Sequence, residues 1–151
     1  RNAGFAKTST QATKLAQEGI ERVRIGRDRN SSIAISGTTI DSWSGTNPIW
    51  NYQILAAAGC DNPSTGGKCY FNVGTAGQLT NIGFDFVSPL TNPLPALAES
   101  IPAANPVFKR VILLSDDTGS YTTQKTVTVI VTWIDATGSH ESKLTTILRK
   151  L

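Results

Sequence analysis

The residue types best suited to chemistry in this 151-residue chain lie near its end, where the only histidine, His140, stands in the run ATGSHES between Ser139 and Glu141. A hydroxyl, an imidazole and a carboxylate are the parts of a nucleophilic relay. Immediate neighbours on a strand point to opposite faces, however, so this spacing does not bring the three together. His140 reads instead as an exposed turn histidine. There is no glycine-rich phosphate loop, zinc-ligand spacing or GxSxG turn. SDDTGS (115–120) and CDNPSTGG (60–67) place carboxylates beside glycine, but a calcium loop needs alternating ligands and a distant glutamate, so both read as turns. No enzyme activity, metal or cofactor is expected.

Two other groups could recognise a partner, and a third bears on stability. RVRIGRDR packs four arginines into eight residues, yet Glu18 precedes Arg22 by one helical turn and Glu21 precedes Arg24 by three residues, so the run reads as a charge-paired helix end. With a net charge of only +3, no nucleic acid is expected. Trp43, Trp50 and Tyr52 stand among Ser, Gly, Thr and Asn. They suit stacking on a sugar or peptide, and equally suit plugging an irregular region onto the domain, which is the commoner fate of Trp. Cys60 and Cys69 are the only cysteines and are separated by eight turn-forming residues. The pair reads as a disulfide of an exported protein, closing a ring that stabilises by roughly 2.5–3 kcal/mol in the loop-entropy account.

The elements that must position these groups are legible at the two ends of the chain. Over residues 10–28, Ala12, Leu15, Ala16, Gly19, Ile20, Val23 and Gly26 share one stripe of a helical wheel, opposite Lys14, Gln17, Glu18, Glu21 and Arg24. Ile25 falls outside the stripe. Residues 31–106 read as a long irregular connection with a short strand at SIAIS, a hairpin at 70–73 and 78–81, and a further strand at GFDFVS. Five prolines between 89 and 106 mark a surface loop. The last 45 residues read as an antiparallel meander: FKRVILLS, KTVTVIVTWID and ESKLTTILRK, joined by DDTGSYTTQ and ATGSH. In the middle strand Val127, Val129, Val131 and Trp133 alternate with Thr126, Thr128, Ile130, Thr132 and Ile134. The expected fold is therefore α+β: one domain over residues 1–151, with a long amphipathic helix (1–30) across an antiparallel sheet of about four to five strands. The chain starts at Arg1 and contains no Met, so it is expected to be part of a longer product.

LAQEGIERVRIGRD resembles a segment of minor pilins of the pilus-modification class in bacterial type IV pilus systems. PVFKRVILL is similar to that class's Phe-x-Arg strand, and VTVIVTWIDATGSHESKLTTILRKL to its Val-x-Val-x-Trp hairpin. The match covers 10–28 and 107–151. The resemblance implies a pilin-like fold and a non-enzymatic filament subunit at the cell surface that contributes to surface adhesion, with what makes this member special lying in the unmatched 31–105. It also implies an apolar helix upstream of Arg1 that anchors the subunit in the inner membrane before assembly and contacts other pilin subunits afterwards. A pseudopilin of a type II secretion system and a free-standing adhesive or sugar-binding module are the alternatives. Ile25 is the candidate subunit contact, and this stretch of chain, its apolar stripe spent on the sheet, is expected to be a monomer.

Overall fold

The computed structural model describes residues 2–29, 33–35, 38–40, 67–73, 79–87, 98–102, 107–116 and 123–151, with side chains described for 7–28, 71–72, 98–102, 107–115 and 123–151. Helix α1 spans Asn2–Arg29. Eight strands follow among the described residues: β1 (Ile33–Ile35), β2 (Thr38–Ile40), β3 (Gly67–Val73), β4 (Leu79–Val87), β5 (Glu99–Ile101), β6 (Phe108–Asp116), β7 (Gln124–Asp135) and β8 (Gly138–Arg149). The protein is α+β, with the N-terminal helix packed on the sheet. The strand order is β2-β1-β4-β3-β6-β7-β8, with β5 beside β3 on the same edge of β6. All pairings are antiparallel except β1 with β4. Five strands of seven residues or more carry the sheet, and β1, β2 and β5 are three-residue additions.

The β6–β7–β8 meander explains why the helix can lie where it does. Its strands are rich in Val, Ile and Thr, whose branched side chains suit a pleated surface. Register sets side chains in rows under α1: Phe108, Trp133 and His140; Arg110, Val131 and Ser142; Ile112, Val129 and Leu144; Leu114, Val127 and Thr146. Ala12, Ala16, Ile20 and Val23 are buried against these rows together with Phe71 of β3, and Leu15 and Leu144 are partly buried at the margin. Gly19 and Gly26 are buried as well, whereas Ile25 is half-buried and outside the core cluster.

Four sequence expectations are corrected. GFDFVS holds no separate strand: its first five residues are the second half of β4, which stays paired to β3 because register shifts between Lys68 and Phe71 absorb the mismatch, and Ser88 lies outside the described residues. The proline-rich stretch contains strand β5, since Glu99–Ile101 precedes Pro102 and proline favours extended backbone before it. The turn at ATGSH is only Ala136 and Thr137, so Ser139 and His140 belong to β8. The alternation in β7 also fails at its centre. Ile130 and Thr132 are buried on the face away from the helix, as is Val111 beside Ile130, so mid-strand residues are covered on both sides.

Gly19 sets the helix–sheet distance. A Cβ there would lie 2.9 Å from Val129 Cγ1 and 3.5 Å from Arg110 Cδ, so the close approach depends on the missing side chain. Gly19→Val is expected to lower unfolding free energy by about 1–3 kcal/mol through overpacking, although valine is a better helix former than glycine. Denaturant titration checks this, and an unchanged midpoint would mean that the helix is not seated this tightly.

Candidate functional site

The β7–β8 turn gathers the chemistry-bearing groups at one end of the sheet. Asp135 and Gly138 close a two-residue turn, and Gly138 has φ 120°, a conformation that L side chains rarely adopt. The Thr137 N–H and hydroxyl donate to Asp135 Oδ1 at 2.8 and 2.6 Å. His140 Nε2 lies 2.9 Å from both Asp135 Oδ1 and Thr137 Oγ1. An ionised carboxylate can only accept, and the threonine proton is already given to it, so Nε2 carries a hydrogen shared between the two oxygens. The imidazole stacks on Trp133, with centroids 5.3 Å apart and planes at 28°, and Trp133 meets Phe108 edge-on at 6.0 Å. His140 is therefore half-buried in a strand rather than exposed in a turn. A relay needs the carboxylate on one ring nitrogen and the hydroxyl on the other. Here both converge on Nε2, an arrangement that fastens the turn.

A second cluster lies where α1, β5 and β6 meet. Arg110 is 2% exposed. Its Nη1 donates to the Leu15 carbonyl at 2.8 Å and to Glu18 Oε1 at 3.1 Å, while Nη2 donates to Glu99 Oε1 and Oε2 at 2.6 and 2.8 Å. Glu99 stands directly opposite Arg110 in the β5–β6 ladder. Arg22 closes the network, 2.8 Å from Glu18 and 3.6 Å from Glu99, so two cations alternate with two anions. Beside it, Gln11, Leu15 and Glu18 of α1 face Ile101, Pro102 and Phe108 across a mainly apolar groove of about 320 Å³.

Arg24 and Arg27 of the helix end are paired locally, Arg24 with Glu21 and Arg27 with Asp28, and Arg27 also donates to the Arg149 carbonyl. Trp43, Trp50, Tyr52 and Cys60 lie outside the described residues, and Cys69 is placed on β3 by its backbone alone. Glu99 is the residue that sequence reading missed. It sits in a stretch read as loop, and the signal that could have found it was ESI, a charged residue two before an apolar one just ahead of Pro102. Among the described residues, no group of three or more His, Cys, Asp or Glu could hold a metal, and no helix is long and apolar enough to cross a membrane.

Comparison with protein families, curated proteins and solved structures finds no match to this chain.

The turn makes a definite pH prediction. The hydrogen bond from the Thr137 hydroxyl, with that from His140, lowers the Asp135 carboxyl from 3.8 to about 2. A carboxyl lowered in the folded state contributes stability that is fully present above its unfolded value and is lost as pH falls through the folded one. The turn should therefore loosen between about pH 4 and pH 2. In carboxyl NMR titrations, Thr137→Val is expected to move Asp135 back toward 3.8, and an unmoved midpoint would remove the threonine from the account.

Proposed function

We propose that this chain is the globular part of a pilin-like subunit: a non-enzymatic minor pilin of a bacterial type IV filament, displayed at the cell surface, with the inner membrane and other pilin subunits as its partners. What supports the reading is that the two stretches carrying the resemblance, 10–28 and 107–151, pack against each other. Arg110 of the Phe-x-Arg strand reaches Glu18 of the LAQEGIE segment, and Gly19 of that segment lies against Val129 of the Val-x-Val-x-Trp hairpin. Residues that resemble one family at separate places in the sequence thus form one seam. A type II secretion pseudopilin would share that seam, and gene neighbourhood separates the two.

The face of α1 away from the sheet carries Glu21 and, half-buried, Ile25. In a filament this face meets neighbouring subunits. Changing Ile25 to Asp should reduce incorporation into filaments far more than it lowers the melting temperature of the isolated domain. Stability collapsing, with incorporation only following it, would make Ile25 a core residue and remove the contact. Reading the coding sequence ahead of Arg1 tests the larger claim: an apolar stretch of about 20 residues is expected, whereas a cleavable signal peptide would favour the free-standing adhesive module.

A further inference from the structure

We propose that the outer edge of β8 is a homodimer contact, in which two copies join β8 to β8, antiparallel, with Ser142 at the two-fold axis and Glu141 of each copy opposite Lys143 of the other. The inference does not depend on the filament reading. β8 is twelve residues long and is paired with β7 at every position, and among the described residues no strand pairs with its second edge. Lys150 N–H donates to the Thr123 carbonyl at 2.7 Å. Bonded and non-bonded pairs alternate along an antiparallel ladder, so the even-numbered residues of β8 bond to β7 and the odd-numbered ones turn N–H and C=O to the open edge. At the far end the Arg27 guanidinium takes the Arg149 carbonyl at 3.1 Å. The stretch from Ser139 to Ile147 is left, with no proline, glycine or register shift to blunt it.

Charge selects the register. Ser139, Glu141, Lys143, Thr145 and Ile147 are all exposed and share the face away from the helix. Pairing about Ser142 sets Glu141 opposite Lys143 twice and Ser139 opposite Thr145 twice. Moving the axis to Glu141 or to Lys143 sets like charges opposite each other, and moving it to Leu144 leaves both charges facing Thr145 and Ile147. Opposite charges across a strand pair stabilise and like charges destabilise, so only the Ser142 axis uses both groups. The helices allow it. α1 lies chiefly over β7 and β8; strands about 4.8 Å apart then put the two helices about 10 Å apart, the spacing of packed helices. The side of α1 toward this edge is marked by Thr13, whose Oγ1 is 3.4 Å from Ser142 Oγ, and carries uncharged Ser9 and Gln17 nearby. The expectation of a monomer considered the helix alone; the edge adds a weak, concentration-dependent contact.

Sedimentation of the 151-residue chain from about 10 μM to about 1 mM tests this. A reversible dimer is expected. Glu141→Lys and Lys143→Glu should each weaken it about tenfold or more without changing the melting temperature, because both side chains are exposed. Mixing the two variants should restore association, since all-basic and all-acidic edges complement each other, and so should the double swap in one chain. A chain that stays monomeric throughout, a dimer indifferent to both reversals, or a failure of the mixture and the swap to recover would each overturn the proposal.

Discussion

A guanidinium withdrawn from water costs several kcal/mol unless its charge and its hydrogen-bond donors are matched, and Arg110 is matched from two other elements at once. β5 supplies the Glu99 carboxylate, and α1 supplies both the Glu18 carboxylate and the Leu15 carbonyl. The strand that carries Arg110 is thereby tied to the helix above it and to the short strand beside it. The aliphatic stem of the same side chain passes below Gly19, where absence of a Cβ leaves room for it and for Val129. Helix height and the position of β5 are two consequences of one buried charge.

This seam also organises what is left exposed. With Ala12, Ala16, Ile20 and Val23 committed to the sheet, the opposite face of α1 takes no part in this core. Because α1 lies over β7 and β8, the open edge of β8 runs alongside it. The aromatic row of Phe108, Trp133 and His140 closes the core at the turn, and the Asp135–Thr137–His140 hydrogen bonds hold that closure in place. Surfaces available for assembly are therefore set by the same packing that makes the core.

Legibility followed the length of the pattern. The stripe from Ala12 to Val23 and the alternation through Val127–Trp133 persist over several periods, so helix and meander could be read directly. β5 could not, since three residues between prolines hold no period, and the pairing of Glu99 with Arg110 is a tertiary contact. His140 was misplaced by one turn's worth of chain: a Gly-Ser dipeptide reads as loop, whereas Gly138 is the single turn-forming position and the strand resumes at once. The burial of Ile130 and Thr132 was equally hidden, because alternation reports one covered face and cannot register a second. In the site itself, Glu18 and Arg22 were read as a helix pair, but their convergence on Arg110 and Glu99 is a tertiary fact with no sequence spacing of its own.

The most direct test is the equilibrium unfolding free energy of Arg110→Ala measured against the unchanged chain. If the guanidinium fastens helix, β5 and β6 together, truncation leaves the half-buried Glu99 carboxylate with only the longer Arg22 contact and takes this donor from the Leu15 carbonyl, and the loss should be about 3 kcal/mol. A loss below about 1 kcal/mol, the value of an ordinary surface ion pair, would contradict the account and make the seam incidental to the fold.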